Sequence, residues 1–382
     1  MNSTTNTHNL DFFIVSSCIL SSGAYISGIL ELTAITSFCF ILSIVLVIGF
    51  FVLISGIRRI SIQLFVTFCL IVLATLFTDV QLSFDYFKYA IITICILLIF
   101  VNINKFSVTV YSQRIIQVST LMIILFTNLM YYVGGLRYKY YGTTQCVYLN
   151  FENPNTAAIW LMLFFVLAFS CALIIKKKEW RLLYFVASLS LLPIIYATES
   201  RNCILACALL VIMYFVLLFL KITKVPKWIC LIFVLLPAFF FFFYLYVIIP
   251  YEIRIVNLKL LSYLPHLGGK TITTRNIIWK SMLSDIPSCF ILGNYGQYNM
   301  KNMHNSIMTI YSSYGFFVTF LFFKQIYKSL NSLNYLGQCC VIAILFTGCF
   351  EASIFMGISG AYLLLILICA VSSVYQLEGN NE

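Results

Sequence analysis

Residues 228–249 read WICLIFVLLPAFFFFFYLYVII, a stretch of the chain without one charged side chain. A helix of about 20 apolar residues matches the hydrocarbon thickness of a bilayer, so this stretch predicts a membrane-spanning helix. The lysines just before it, Lys221, Lys224 and Lys227, are typical of a helix end at a membrane surface. The fold class therefore depends on how many further stretches of this kind the chain contains.

The whole chain of 382 residues has the same character, since 62% of its residues are hydrophobic, 9% are charged and its mean hydropathy is +1.01. Soluble domains contain about 45–50% apolar and about 25% charged residues. A soluble enzyme, a secreted disulfide scaffold and a nucleic-acid-binding protein are therefore excluded. We expect an all-α polytopic membrane protein with about twelve transmembrane helices in a single integral membrane domain, 1–382. The predicted spans are 12–30, 34–55, 61–78, 87–103, 114–133, 157–175, 182–198, 202–220, 228–249, 304–323, 337–355 and 359–376.

The distribution of charge predicts the orientation of these spans. Thirteen of the 23 Lys and Arg residues lie in the short loops that share a side with the N-terminus, whereas eight of the twelve acidic residues lie on the other side. Short cytoplasmic loops of membrane proteins are rich in Lys and Arg, and long translocated segments escape this rule. We therefore expect both termini in the cytoplasm. Residues 1–10 carry no Lys or Arg, so we expect the first span to be retained rather than cleaved.

The 14 cysteines are scattered through apolar runs without a CxxC pair, which is typical of small buried residues. Cys146 and Cys289 lie in predicted loops and could pair if those loops face an oxidising compartment. The chain contains no DxD, no HExxH and no glycine-rich phosphate loop, so no metal and no cofactor is predicted.

One connection is much longer than the others, the outer loop 251–303 between the ninth and tenth spans. Connections in compact bundles are short, and long ones are usually functional. This loop contains Trp279 and a helix-like stretch, 274–283, which Thr273 or Thr274 would cap. We expect the loop to fold over the outer end of the bundle.

Charged side chains at the outer ends of spans are the first candidates for chemistry, because a charge at membrane depth is costly and usually functional. Arg201 follows Glu199 in a polar turn, and Arg275 lies in the long loop. A guanidinium fork suits bidentate binding of phosphate. The alternatives are an interfacial anchor or an ion pair with Glu199 for Arg201, and a salt bridge to Asp285 for Arg275. Arg254 fits an interfacial anchor better.

A second group of candidates lies at the outer starts of two spans. His304 and Asn305 precede the tenth span, and Asn155 follows Pro154 ahead of the sixth. A neutral imidazole can accept a proton from a hydroxyl or bind a phosphate, although a lone histidine is also often structural. Asn and Pro at these positions are equally typical of a plain helix start. Gly315, eleven residues after His304, permits close approach of another helix or of a lipid chain.

Together these motifs resemble the O-antigen polymerase and O-antigen ligase superfamily, over about residues 150–325. The motifs that carry the resemblance, in chain order, are Thr198-Glu199-Ser200-Arg201, Thr274-Arg275-Asn276-Ile277-Ile278-Trp279, Leu292-Gly293-Asn294-Tyr295-Gly296 and His304-Asn305-Ser306 with Gly315, preceded by Asn153-Pro154-Asn155.

The resemblance implies a membrane-embedded, metal-independent glycosyltransferase of the GT-C-like type. Its substrate would be an undecaprenyl-diphosphate-linked oligosaccharide, used at the periplasmic face of the bacterial inner membrane, with a polysaccharide chain-length regulator as partner. Carried onto this sequence, Arg201 and Arg275 would hold the diphosphate and His304 would be the base or a phosphate contact. Glu199 would be a second candidate base. Asn305, Arg254 and Asn155 complete the expected substrate-binding set.

Polymerase and ligase differ in the acceptor, which is a new lipid-linked unit for the first and lipid A–core for the second. The ligase pattern continues three positions past its glycine to a small or hydroxyl residue, where this chain has Val318. This difference favours a polymerase. The remaining alternative, a flippase for lipid-linked oligosaccharides, would place charges in the middle of spans and show repeat symmetry, neither of which the sequence indicates.

Overall fold

The computed structural model describes residues 2–52, 61–77, 84–133, 138–141, 144–151, 153–248, 270–294, 304–349, 351 and 361–375. Within these residues the chain forms 13 α-helices and one two-stranded hairpin. The elements are α1 (Asn2–Ile29), α2 (Thr33–Phe50), α3 (Ile62–Leu76), α4 (Phe84–Asn102), α5 (Val110–Tyr132), β1 (Tyr138–Tyr141), β2 (Thr144–Val147), α6 (Pro154–Ile174), α7 (Lys178–Ala197), α8 (Arg201–Phe219), α9 (Lys227–Phe243), α10 (Lys270–Asp285), α11 (Ser306–Ser332), α12 (Tyr335–Thr347) and α13 (Ala361–Ser372).

Each of the predicted spans overlaps one of these helices, and only α10 has no predicted span as its counterpart. Nine helices of the described chain are long and apolar enough to cross a membrane. Three further apolar helices, α3, α12 and α13, are shorter. The protein is therefore an all-α polytopic membrane protein, apart from the antiparallel hairpin β1–β2.

The sixth helix, α6, forms the centre of the bundle. It packs against α5, α7, α8 and α13. Of its most apolar 18-residue stretch, 89% is buried inside the protein. A helix with apolar side chains on all sides is stable only when it is surrounded. The surrounding α7, in contrast, exposes Leu182 and Val186 on its outer face, as expected for a helix that faces lipid.

The helix α11 is broken at Gly315, whose φ of 83° and ψ of 179° are essentially restricted to glycine. In an uninterrupted helix the N–H of Phe316 would donate to the carbonyl of Ser312. Here the Phe316 N–H donates to the Phe290 carbonyl at 2.9 Å, and the Ser312 carbonyl accepts from the Asn294 N–H at 2.6 Å. The segment after α10 thus satisfies both backbone groups that the break releases.

The long connection between α9 and α11 contains the helix α10, as the sequence predicts. The helix begins at Lys270, earlier than the predicted 274, so that Thr273 and Thr274 lie inside it rather than at its cap. Trp279 anchors it: the indole is fully buried, packs edge-on against Tyr244 at 4.8 Å between ring centroids, and shares a cluster with Met308 of α11. This contact fixes α10 to the ends of α9 and α11.

Candidate active site

Four helix ends meet at one end of the bundle: the N-termini of α6, α8 and α11 and the C-terminus of α12. Asn155 of α6 donates through Nδ2 to Glu351 Oε1 at 2.7 Å. His304 Nδ1 lies 3.1 Å from the same carboxylate oxygen. The Ser306 N–H donates to the Gly348 carbonyl at 2.8 Å, and α8 packs along α12. These contacts bring two of the predicted site residues together around a residue that was not predicted.

Glu351 is the centre of the site, and its side chain is only 1% exposed. A buried carboxylate is costly unless hydrogen bonds and opposite charge compensate it. Here Asn155 and His304 are its direct partners, and the positive ends of the neighbouring helix dipoles add a favourable field. Glu351 also lies inside the predicted span 337–355. An ionisable residue inside a span is a functional candidate, so the sequence did contain a signal for it.

His304 is positioned by its backbone and by Glu351. Its φ of 49° lies in the left-handed region, an unfavourable conformation for a residue with a Cβ that is found disproportionately at functional sites. Its side chain is 24% exposed, so part of it is accessible. When the Glu351 carboxylate is ionised it can only accept a hydrogen bond, which makes Nδ1 the donor in this pair. In the neutral ring, Nε2 is then the nitrogen that can accept a proton.

Asn305 holds the start of α11 in place. Its Oδ1 accepts the N–H of Met308 at 3.1 Å, which caps the helix. Its Nδ2 donates to the carbonyls of Pro237 at 2.7 Å and of Cys349 at 3.4 Å. The fully buried side chain therefore joins α11 to α9 and to the end of α12. These contacts give Asn305 a structural role, and its substrate-binding role stays a prediction.

The motif at the start of α6 forms a plain helix start and also supplies a residue to the site. The Asn153 side chain accepts the N–H of Asn155 at 2.8 Å, and Pro154 is the first helical residue, as in a plain helix start. The Asn155 side chain is nevertheless directed to Glu351. Asn155 thus belongs to the site because it donates a hydrogen bond to the Glu351 carboxylate.

Arg201 is the first residue of α8 and is half-buried. The preceding turn has Glu199 in a left-handed conformation, with φ of 62°, and buries Thr198 and Ser200 on either side of it. The Glu351 carboxylate acts electrostatically on the thiol of Cys203, which also lies in the first turn of α8. The first turn of α8, which Arg201 begins, therefore lies within electrostatic range of Glu351.

The hairpin packs against α6 and α7 through β2. Burial raises the pKa of the Cys146 thiol in β2, and the nearby Glu199 carboxylate raises it further. Cys146 and Cys289 are both buried free thiols, so the disulfide that their loop positions permitted is not formed. The hairpin thus lies within electrostatic range of Glu199.

Arg275 is the candidate residue that the long loop carries. Arg275 lies in α10, one turn before the buried Trp279. Trp279 shares its cluster with Met308, which is one turn below His304. Arg254 lies outside the described residues. In the part of the chain that the structure describes, no group of three or more His, Cys, Asp and Glu side chains is arranged to hold a metal ion.

The fold and this site define a polytopic membrane protein with an ionisable, partly accessible cluster at one end of its helix bundle. Compared with models of known protein families, the chain matches none, and it has no significant match among curated proteins. The chemistry of the site has to be argued from the cluster itself.

Proposed function

We propose that the protein is a surface-polysaccharide polymerase of the O-antigen type. It would transfer a growing glycan from undecaprenyl diphosphate onto a new lipid-linked unit at the periplasmic face of the bacterial inner membrane. The observation that carries the proposal is the Glu351–His304 pair, held by Asn155 where the helix start of Arg201 also lies. In this proposal α3, α12 and α13 complete twelve crossings, with the site outside and both termini inside.

The pair supplies the base that this reaction needs. His304 Nε2 takes the proton from a hydroxyl of the acceptor sugar as that oxygen attacks the anomeric carbon of the donor. The bond between the anomeric carbon and the diphosphate oxygen breaks, and undecaprenyl diphosphate leaves with the bonding electrons. Glu351 stabilises the imidazolium that forms and fixes the tautomer beforehand. Proton and leaving group are thus accounted for by residues of this chain and its two lipid-linked substrates.

The leaving diphosphate gains negative charge in the transition state, so it needs cationic groups near the base. In our proposal Arg201, at the start of α8, and Arg275, on the helix that Trp279 anchors, hold its two phosphates. Glu199 lies in the turn before α8 and is the second candidate base. Asn155 acts by orienting Glu351.

The position of the cluster favours transfer over transport. Its members lie at helix ends, on one end of the bundle. Transporters of lipid-linked substrates need polar groups near the middle of the membrane, at the interface between structural repeats. A ligase would use the same chemistry with a different acceptor, so the product decides between the two.

The test is the surface polysaccharide of a deletion strain of the source bacterium, separated on a silver-stained gel. Lipid A–core with a single repeat and no ladder is the expected result, and wild-type protein should restore the ladder. Arg201→Ala and His304→Ala should not restore it, whereas Arg181→Ala, at the exposed start of α7, should.

Three other profiles would overturn the proposal. Core without any repeat, together with polymer accumulating on undecaprenyl diphosphate, would identify a ligase. Single lipid-linked units that accumulate on the cytoplasmic side would identify a flippase. An unchanged ladder would remove the protein from this pathway.

A further inference from the structure

Two short connections between helices are basic at the end of the bundle opposite to the site. Residues 175–177 join α6 to α7, and residues 220–226 join α8 to α9. Each connection, together with the first residue of the helix that follows it, supplies three exposed lysines. We call this set the basic rim: Lys176, Lys177, Lys178, Lys221, Lys224 and Lys227. The whole length of α8 separates the rim from Arg201.

The two connections are neighbours around the end of α6. The Phe169 ring, near that end, lies 5.8 Å from the Phe185 ring of α7 and 5.7 Å from the Tyr214 ring of α8, measured between ring centroids. The longer connection is anchored, because the buried Val225 donates its N–H to Gln338 Oε1 of α12 at 2.8 Å. The shorter one joins two helices that pack along each other. The rim lysines are therefore carried by neighbouring backbone segments whose positions the bundle fixes.

The positive charge of the rim is not balanced by carboxylates. Within the part of the chain that the structure describes, no rim lysine forms an ion pair. The carboxylate that follows Lys178 in the sequence, Glu179, is itself exposed. Like charges held close together repel each other. A fixed concentration of lysines of this kind favours an anionic partner.

The side chains next to the rim indicate that this partner is a lipid. Trp180 and Trp228 each lie within two residues of a rim lysine and are at least half exposed, as is typical of tryptophan at a membrane surface. Leu182 and Val186 follow Lys178 at intervals of four residues on the same face of α7, and both are more than half exposed. A phosphate held by the lysines would thus lie at the end of an exposed apolar strip. A free anion would make no use of that strip, whereas the acyl chain of a lipid would.

We propose that the basic rim binds the headgroup of an anionic phospholipid, with one acyl chain lying along the exposed face of α7. Two basic connections side by side suit a headgroup with two phosphates, such as that of cardiolipin. The lysine ammonium groups contact the phosphate oxygens as point charges. The inference does not depend on the proposed function, because the rim and the site lie at opposite ends of the bundle.

The experiment is native mass spectrometry of the purified full-length protein in detergent, titrated with cardiolipin or with zwitterionic phosphatidylcholine. Wild type should bind cardiolipin in preference to phosphatidylcholine. The double substitution Lys177→Gln and Lys178→Gln should weaken cardiolipin binding by about 25-fold, because each lysine at an anionic membrane surface contributes about fivefold. Binding of phosphatidylcholine should not change. The matched control is Lys324→Gln with Lys328→Gln, which removes two exposed lysines from the last third of α11 and should keep the wild-type affinity for cardiolipin.

The same titrations contain the results that would overturn the inference. Unchanged cardiolipin affinity in the Lys177 and Lys178 variant would remove these lysines from the site. An equal loss in both double variants would show a general effect of net charge, and wild-type protein that does not distinguish the two lipids would exclude a headgroup site. Inorganic diphosphate should not displace bound cardiolipin at equal concentration; displacement would assign the rim to a free anion instead of a lipid. All four substitutions replace exposed side chains, so both variants should fold and unfold like wild type.

Discussion

Replacing Glu351 with glutamine removes one charge from the site and keeps the shape of the side chain. Glutamine Oε1 can still accept from Asn155 and from His304 Nδ1, which lie 2.7 and 3.1 Å from the carboxylate oxygen. What is lost is the attraction between Glu351 and the imidazolium that forms when His304 takes the proton. Two unit charges about 4 Å apart at an effective dielectric constant of about 20 attract each other by about 4 kcal/mol.

Part of this attraction stabilises the transition state, in which the proton is only partly transferred to His304. With the proton about half transferred, about 2 kcal/mol is lost, which corresponds to a rate about 30-fold lower. The loss should appear in the rate of the chemical step and leave the affinity for undecaprenyl diphosphate unchanged. The assay is single-turnover transfer between lipid-linked oligosaccharides by purified protein, with products separated by chromatography. Glu179→Gln is the control, because Glu179 is exposed at the start of α7.

A wild-type rate in Glu351→Gln would refute the role of Glu351 in proton transfer. A lower rate that is accompanied by an equally lower affinity for the lipid would instead assign Glu351 to substrate binding. The unfolding midpoint of the variant, measured in the same detergent, shows whether the protein is intact.

Three further predictions concern the fold and the surroundings of the site. Gly315→Ala should lower the unfolding midpoint, because φ is 83° and the added carbon would lie 2.3 Å from a carbonyl oxygen. Gly49→Ala is the control and should not lower the midpoint, because nothing lies within 4 Å of its added carbon. Equal midpoints for the two variants would contradict the broken helix. Asn305→Ala should cost about 1 kcal/mol or more of stability through loss of the α11 cap, and an unchanged midpoint by calorimetry would contradict its structural role. Cys146 should react slowly with iodoacetamide at pH 8 and faster as the pH rises, because its raised pKa keeps the thiolate fraction small. Mass spectrometry follows the labelling, and rapid labelling at pH 8 would contradict the burial of this thiol.

The positions of the helices could be predicted from the sequence because membrane insertion depends on local apolar runs. The positions of the helix ends are predicted less accurately. The tenth predicted span, 304–323, corresponds to α11, which continues to Ser332. Lys324 and Lys328 lie in that extension, and a helix can continue with charged residues beyond the hydrocarbon region. The sequence does not predict the break of the helix at Gly315. It does predict that another segment approaches this glycine closely, and in the structure that segment is the backbone of Ile291.

The site was partly predictable for a related reason. Arg201, His304 and Asn155 belong to short motifs that could be recognised locally. Local patterns place Glu351 only among the acidic residues on the outer side, because its partners are 47 and 196 positions away in the chain. Hydrophobic patterns give no information on such long-range pairing. The structure also assigns capping bonds to Asn305, which a motif with an asparagine before a helix allows but does not distinguish from a binding role.

The measurement that tests the central claim most directly is transfer by the purified protein alone. Detergent-solubilised wild-type protein is incubated with the single-repeat undecaprenyl diphosphate of the source bacterium, and the products are analysed by mass spectrometry. The proposed function predicts lipid-linked products that grow by whole repeats, with one undecaprenyl diphosphate released for each new linkage, and none of either with His304→Ala. Unaltered single-repeat lipid after incubation with folded wild-type protein that binds it would contradict the claim.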